Sequence, residues 1–343
     1  MGLRIALDLR GINPERPRGP ARWARSLAAA LPAAGPEHDW VTWEPGGRSR
    51  GGAVDLVLAL AGGRPGYGPP AWTAVHDLGH LLARRRFGPA EWARRSWTAA
   101  WTARQSQRLL APSRVVAQAL NTYLRVPAER ITWLPSVPPA GFQRARRPEV
   151  EDLRQEHRLK PRWFAAVGTL SRRRNLPLLL AAWDRAQRGL GPGVDLVVAG
   201  HQADPAVTAE VLAGGARWVG YLPDDQLRAL LSGAIAALDP TPHAGNSIGV
   251  LEAMACGAPP VVAAGSAGGE VIGNAGVLVE AGDLESWAAA ILYLARETGE
   301  RNRMAARGLQ AISAEFRAEG AARRLVRELR AGAREGIPAS GGG

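Results

Sequence analysis

Several residue types and patterns are scarce in this sequence, and each scarcity excludes a class of protein. Cys256 is the only cysteine in 343 residues, so no disulfide can form within the chain, and a reducing compartment is favoured. No apolar run approaches the roughly 18 residues that span a bilayer. Arg4, Asp8 and Arg10 interrupt the stretch in which a secretory signal would be apolar. We therefore expect a cytoplasmic protein that at most attaches peripherally to the inner face of a membrane.

Positive charge is distributed unevenly along the chain. Residues 1–150 contain 22 arginines against 10 Asp and Glu residues, whereas residues 151–343 contain 21 basic and 21 acidic residues, so the first part carries the whole net charge of +12. Such a field attracts an anionic partner, and anionic lipid, an acidic acceptor and nucleic acid are all candidates. The alternative is a compositional bias without function, because Lys160 is the only lysine in this arginine-rich chain.

Short apolar runs alternate with segments of helical periodicity throughout the sequence. This alternation predicts an α/β protein with parallel sheets covered on both faces, and two such series predict two Rossmann-like domains. The predicted strands are 3–9, 54–60, 72–78, 107–113, 131–136, 163–170, 194–200, 216–222, 234–240, 258–265 and 275–282. The predicted helices are 21–32, 89–108, 175–190, 223–233, 247–257 and Ala314–Ala331.

The domain boundary is predicted in the stretch 135–150, which is rich in proline and charge. An N-terminal domain at 1–145 would precede a C-terminal domain at 146–313. A C-terminal helix at 314–333 would then pack back toward the N-terminal domain, and the glycine-rich tail at 334–343 would be disordered.

An arginine-rich turn follows the first predicted strand of the second domain. That strand ends at Gly168, Ser171 leads into Arg172–Arg174, and Asn175 is a candidate N-cap of the next helix. Guanidinium groups ahead of a helix N-terminus are suited to phosphate oxygens. The alternative is a solvated basic turn, which would be unfavourable near the positive end of the helix dipole.

A single carboxylate, Glu252, lies among small and apolar residues after the predicted strand 234–240. It could cap the helix N-terminus, or it could accept hydrogen bonds from two neighbouring sugar hydroxyls. Gly245 and Gly249 would let the backbone approach a ligand closely. The spacing alone leaves both interpretations open.

The order and spacing of these segments resemble the retaining glycosyltransferases of family 4. The resemblance is carried by GTLSRRRNLPLLLAAW, LVVAG, GYLPDDQLRALLSGA, VLEAMACGAPPVV and EVIGNAGVLVEAGD. It implies a GT-B fold, in which two Rossmann-like domains have parallel sheets facing across a cleft. It also implies transfer of a sugar from a nucleotide-sugar donor to a glycan or lipid-linked acceptor with retention of configuration. No cofactor is implied beyond the donor as co-substrate, and no metal, since the sequence lacks Asp-x-Asp.

The resemblance assigns donor-binding roles to particular residues. Arg173 and Arg174 match an Arg-Lys pair on the donor diphosphate, and Glu252 matches the second glutamate of a Glu-x7-Glu motif, which holds the ribose. Ala244 stands where the first glutamate is expected, so the alternative is a catalytically impaired GT-B protein acting as a nucleotide-sugar-binding or scaffold subunit. The remaining donor-side candidates are Gly168, Gly245, Asn246, Ser247, Ile248 and Gly249.

Two candidates lie in the first domain. His76 matches a histidine that faces the donor sugar in the family, although a histidine at a strand end can also be purely structural. Gly19 and Arg22 belong to a stretch that matches a glycine-rich loop on the acceptor or phosphate side. Pro20 and Ala21 would stiffen that loop.

The segment 84–108 combines seven arginines with three tryptophans. Trp97 and Trp101 would share one helix face, with Trp92 offset. Such a helix is suited to peripheral contact with an anionic membrane, but a half-buried helix packing its tryptophans on the first domain is an equally simple interpretation. The sequence contains no recognised nucleic-acid-binding module, so we expect no nucleic-acid partner.

Overall fold

The computed structural model describes residues 2–13, 19–44, 53–62 and 68–334. Apart from Arg334, the tail predicted at 334–343 lies outside these residues. The chain divides into two compact units, one formed by residues up to Ala140 together with the segment from Glu315 onward, and the other by Gly141–Ala314. The boundary falls within the predicted stretch 135–150, but residues from Arg147 onward are already helical.

The first unit contains a six-stranded parallel sheet in the order β2-β1-β3-β4-β5-β6. Its strands are β1 (Arg4–Asp8), β2 (Asp39–Trp43), β3 (Leu56–Ala59), β4 (Ala71–Ala74), β5 (Arg108–Ala111) and β6 (Ile131–Trp133). Its helices up to residue 140 are α1 (Gly19–Ala34), α2 (Gly79–Leu82), α3 (Pro89–Gln105) and α4 (Arg114–Leu124). Every residue of β3 and β4 is buried, as expected for strands covered by helices on both faces.

The second unit contains a six-stranded parallel sheet in the order β12-β11-β10-β7-β8-β9. Its strands are β7 (Arg162–Val167), β8 (Val194–Ala199), β9 (Arg217–Trp218), β10 (Ala237–Asp239), β11 (Pro260–Ala263) and β12 (Val277–Val279). Its helices are α5 (Arg147–Glu156), α6 (Leu176–Gln187), α7 (Pro205–Ala213), α8 (Asp224–Gly233), α9 (Ile248–Ala255), α10 (Ala267–Val271), α11 (Leu284–Arg296) and α12 (Thr298–Ala314).

The strand order of the second sheet creates a topological switch point between β7 and β10. The chain builds outward from β7 through β8 to β9, then crosses back and builds outward in the other direction from β10. The loops that leave these two neighbouring strands therefore diverge, and ligands of open parallel sheets bind in the crevice this creates. Phe164, Trp183 and Trp287 are buried in the core of this unit.

A last helix, α13 (Ala318–Arg334), returns the chain to the first unit. The prediction of one helix over Ala314–Ala331 was wrong at its start, because Ala314 ends α12 and residues 315–317 separate the two helices. The separation is where the chain passes from the second unit to the first. α13 packs on α1 and buries Leu325, Val326 and Leu329. No helix within the described residues is long and apolar enough to cross a membrane.

Candidate functional site

Two glycines follow the neighbouring strands β7 and β8 of the second unit. Gly168 follows β7 with φ +141°, and Gly200 follows β8 with φ +148°, conformations that L side chains rarely adopt. A Cβ atom on Gly200 would overlap the carbonyl oxygen of Gly168. The two turns therefore pack backbone against backbone. The sequence predicted a glycine turn at Gly168 but did not single out Gly200.

The arginine-rich turn after β7 is a 3-10 turn, Arg172–Arg174, and α6 begins directly after Asn175. Asn175 occupies the N-cap position, as predicted, but its side chain makes no capping hydrogen bond to the helix. Its backbone is left-handed, with φ 55°, and Nδ2 donates a hydrogen bond to the carbonyl oxygen of Ala281 at 3.1 Å. The left-handed backbone thus directs the amide toward the loop after β12.

The three arginines of this turn have different surroundings. The Arg174 side chain is 14% exposed, Nη2 donates to the carbonyl oxygen of Val167, and Cζ lies 2.8 Å from where a Cβ on Gly168 would be. Arg172 is 73% exposed and pairs with Asp204 at 3.2 Å. Arg173, between them, is half-buried. The turn therefore holds one fixed guanidinium, one half-buried guanidinium and one at the surface.

Asp239, which no sequence pattern singled out, joins the arginine turn to the loop after β10. Its Oδ1 lies 3.5 Å from Nη1 of Arg174 and accepts hydrogen bonds from the Thr241 backbone N–H at 3.2 Å and from Thr241 Oγ1. The available signal was a carboxylate that ends an otherwise apolar strand. Within the described residues, His, Cys, Asp and Glu form no group of three or more that could hold a metal ion.

Backbone N–H groups donate the hydrogen bonds that stabilise the loop between β10 and α9. Asn246 Oδ1 accepts a hydrogen bond from the backbone N–H of Ile248 at 3.4 Å, and the carbonyl oxygen of Ala244 accepts one from Ala267 at 2.9 Å. Ser247, the residue before α9, is 2% exposed, and its hydroxyl has no hydrogen-bond partner in the described part of the chain. A buried hydroxyl of this kind calls for an explanation, and a ligand at this helix N-terminus would supply its partner.

Glu252 is a buried carboxylate, 1% exposed, and the fifth residue of α9. A capping carboxylate reaches back from the third helical position, so this placement speaks against the capping interpretation. Burial raises the pKa of the Cys256 thiol to about 12, and the Glu252 carboxylate contributes to that rise. The carboxylate therefore lies inside the unit, on the side of α9 that also carries Cys256.

The other donor-side candidates at the start of α9 differ in exposure. Gly245 and Ile248 are buried. Gly249 is exposed, and no atom lies within 4 Å of the position its Cβ would take. Within the described residues, no contact requires glycine at this helical position.

In the first unit, His76 lies close to the start of α1. Its Nε2 donates to the carbonyl oxygen of Leu60 at 2.7 Å, which leaves Nδ1 as the acceptor of the neutral ring. Burial lowers the pKa of His76 and favours this neutral form. Trp23 packs edge-on against the imidazole, with ring centroids 5.0 Å apart. Gly19 and Arg22 lie in the first turn of α1, just before Trp23.

The arginine- and tryptophan-rich segment is not a single helix. Arg84–Arg86 form a 3-10 turn, α3 follows, and Arg108 belongs to β5, where it pairs with Glu328 at 3.5 Å. Of the residues in α3, only Thr102 and Ala103 are buried. Trp97 is 53% exposed and stacks on Trp101 with centroids 5.6 Å apart, as the spacing predicted.

Known proteins resemble this chain in sequence and in fold. Escherichia coli O-antigen chain mannosyltransferase B is 30% identical over 149 residues, which is 42% of this chain and 39% of that protein. The match thus spans about two fifths of the relative's length. Sucrose-phosphate synthase from Thermosynechococcus elongatus superposes with a TM-score of 0.77 at 17% identity, over 97% of this chain and 100% of that one. Anabaena HepE, solved in complex with UDP and glucose, gives 0.72 at 14% identity, over 96% and 100%.

Two family descriptions match the chain, one in each half. Glycosyltransferase Family 4 matches residues 49–136, and Glycosyl transferases group 1 matches residues 161–297. The two parallel sheets and the structural likenesses define a two-domain α/β protein with the GT-B fold. The chain belongs to the family 4 glycosyltransferases.

Proposed function

We propose that this chain is a glycosyltransferase that moves a sugar from a nucleotide-sugar donor to a glycan or lipid-linked acceptor. The observation that carries the proposal is the contact between Arg174 and Asp239, 3.5 Å apart. It joins the arginine turn after β7 to the loop before α9 at the switch point, where open parallel sheets bind their ligands. Family membership supports the same conclusion.

Two arginines would bind the diphosphate of the donor, and a carboxylate would bind its ribose. Arg173 and Arg174 would bind the diphosphate, because guanidinium groups grip two phosphate oxygens at once. Glu252 would accept hydrogen bonds from the ribose hydroxyls. As the sugar–phosphate bond breaks, the arginines would stabilise the negative charge that develops on the departing diphosphate.

Retention of configuration and independence of metal ions are part of the proposal. Retention is supported by family membership, and the arginine turn offers fixed positive charge of the kind that a metal ion provides in other diphosphate sites. His76 Nδ1, as an acceptor, would suit a sugar hydroxyl, and Arg22 with Gly19 would lie on the acceptor or phosphate side.

The acceptor class is supported by the relative that acts on O-antigen chains. A lipid-linked glycan would bring the protein to a membrane surface. We propose that the first unit makes this contact through one surface around α3. This α3 surface consists of Arg84–Arg86, Trp92, Arg94, Trp97, Trp101 and Arg104. Trp97 and Trp101 stack on each other, and Arg84 lies over the Trp92 ring at 4.5 Å from its centroid. An exposed tryptophan, Trp97, with two half-buried ones and arginines beside it suits the interface of an anionic bilayer.

The proposal is tested with the full chain, UDP-glucose and GDP-mannose as donors, and octyl glucoside and octyl mannoside as acceptor probes. We expect one donor to raise the melting temperature, because ligand binding stabilises the folded state. We also expect turnover of that donor to persist in EDTA, and the product to keep the donor's anomeric configuration by NMR. The absence of binding to any nucleotide sugar would contradict the proposal.

The alternative is a nucleotide-sugar-binding or scaffold subunit without turnover, and Ala244 in place of a glutamate is the observation that favours it. It predicts donor binding by the natural chain with no donor turnover. It also predicts that Ala244→Glu introduces donor hydrolysis where there was none. Turnover by the natural chain would exclude this alternative.

A further inference from the structure

We infer that Asp239 accepts hydrogen bonds from hydroxyl groups of the transferred sugar, and so provides the carboxylate that is missing at Ala244. This inference rests on the proposed function and assigns the residue that recognises the sugar itself. It concerns a side chain within the second unit only.

The position of Asp239 in the fold is that of a ligand-binding residue. It is the last residue of β10, the strand that pairs with β7 across the switch point. Residues at the carboxyl ends of the strands flanking a switch point face the ligand crevice in this class of sheet. Ala244, by contrast, has no polar side-chain atom, and its carbonyl oxygen is bonded to Ala267.

The two carboxylate oxygens of Asp239 have different surroundings. Oδ1 accepts from the backbone N–H and the hydroxyl of Thr241 and faces Arg174. Within the described residues, no hydrogen bond is made to Oδ2, and the side chain is 25% exposed. One oxygen therefore fixes the rotamer while the other stays open to an external donor, which is the arrangement that a preorganised hydroxyl acceptor needs.

The neighbour of Asp239 indicates which hydroxyl-bearing group would reach it. Arg174 lies 3.5 Å from Oδ1 and is one of the two arginines proposed for the diphosphate. In a nucleotide sugar, the transferred sugar is bonded directly to the terminal phosphate. A carboxylate beside a diphosphate-binding guanidinium therefore lies beside that sugar, whereas the ribose is attached at the opposite end of the diphosphate.

The simpler explanation is that Asp239 only shapes the loop, through its bonds to Thr241 and Arg174. The two explanations are separated by comparing two ligands, the nucleotide sugar and its free nucleoside diphosphate. Asp239→Asn keeps the Oδ1 acceptor but replaces Oδ2 with an amide donor. Asp204→Asn is the matched control, because it makes the same change at a carboxylate of similar exposure that pairs with the surface residue Arg172, and asparagine can still cap α7.

Calorimetric titration of the full chain uses UDP-glucose with UDP, or GDP-mannose with GDP, whichever pair the natural chain binds. We expect Asp239→Asn to weaken nucleotide-sugar binding about tenfold, as for loss of a hydrogen bond to a charged group, and to change nucleoside diphosphate binding by less than about twofold. We expect Asp204→Asn to leave the ratio of the two affinities unchanged. Equal weakening of both ligands by Asp239→Asn would overturn the inference in favour of a loop-shaping role, and no change in either would also overturn it.

A second measurement uses only the natural chain, so it does not depend on whether a variant folds. Donor analogues that each lack one sugar hydroxyl are titrated into the natural chain, and we expect at least one to bind about tenfold more weakly. Equal affinity for every analogue would overturn the inference while leaving the proposed function intact. If the natural chain bound neither the nucleotide sugar nor the diphosphate, the proposed function would fail first and the inference with it.

Discussion

At the scale of single residues, the fold requires glycine at one position of the candidate site and does not require it at another. Gly168 has φ +141°, and a Cβ there would lie 2.8 Å from Cζ of Arg174, so the fold itself requires glycine. Gly249 is exposed in the first turn of α9, and no atom lies within 4 Å of the position its Cβ would take. Under the proposed function, this helical glycine would let the donor approach the helix closely.

We therefore expect Gly249→Ala to stabilise the free protein by up to about 1 kcal/mol, since alanine is the better helix former. The same methyl group should weaken nucleotide-sugar binding by about 1–3 kcal/mol, the usual cost of overpacking. Gly320→Ala, at an equally open position in α13, is the control and should stabilise without changing binding. Thermal melts and titrations measure both effects. Unchanged donor affinity in Gly249→Ala would contradict the close approach.

Some features of the candidate site could be predicted from the sequence and others could not, for physical reasons. The arginine turn was predictable, because three arginines before a helix are unusual without an anion. Asp239 was not, since its importance depends on β10 lying beside β7, which is a property of the sheet order. The side chain of Asn175 could not be predicted either, because its contact, Ala281, is distant in sequence.

At the scale of elements, buried strands were predictable and the edge strand β2 was not. Inner strands such as β3 are continuous apolar runs, whereas β2, at the edge of its sheet, reads DWVTW and is partly exposed along its length. The edge strands β6, β9 and β12 lie within predicted strands, so β2 was missed because it lacks a continuous apolar run and not because it lies at an edge. The break between α12 and α13 was also missed. The two helices belong to different units, and this division is a property of the folded structure.

At this scale, the prediction concerns binding of the α3 surface to anionic membranes. We expect the full chain to co-sediment with vesicles that contain anionic phospholipid and not with purely zwitterionic vesicles, and we expect added salt to weaken the binding. Trp97→Ala should reduce binding about fivefold, corresponding to about 1 kcal/mol of lost apolar burial. Tyr123→Ala removes an equally exposed aromatic ring from α4 and is the control. Equal loss in both variants, or binding that ignores lipid charge, would contradict membrane contact through α3.

At the scale of the whole molecule, charge follows the structural division. The first unit, including its C-terminal segment, has 25 arginines and 13 acidic residues, whereas the second has 18 basic and 18 acidic residues. The net charge of +12 therefore belongs entirely to the first unit. An anionic surface would attract that unit, whereas the proposed diphosphate binding in the second unit would depend on a few arginines placed by the fold. The charge asymmetry was evident from the sequence, but the unit that α13 joins is established by its packing on α1.

The central claim is that the arginine turn after β7 binds the donor diphosphate, and neighbouring arginines in that turn provide its most direct test. Calorimetric titration with the bound nucleotide sugar compares Arg173→Ala with Arg172→Ala, a control of equal charge that is 73% exposed and paired with Asp204. We predict that Arg173→Ala weakens binding by about 1.5–3 kcal/mol and that Arg172→Ala changes it by less than about 0.5 kcal/mol. Unchanged affinity in Arg173→Ala, or an equal loss in both variants, would contradict the claim.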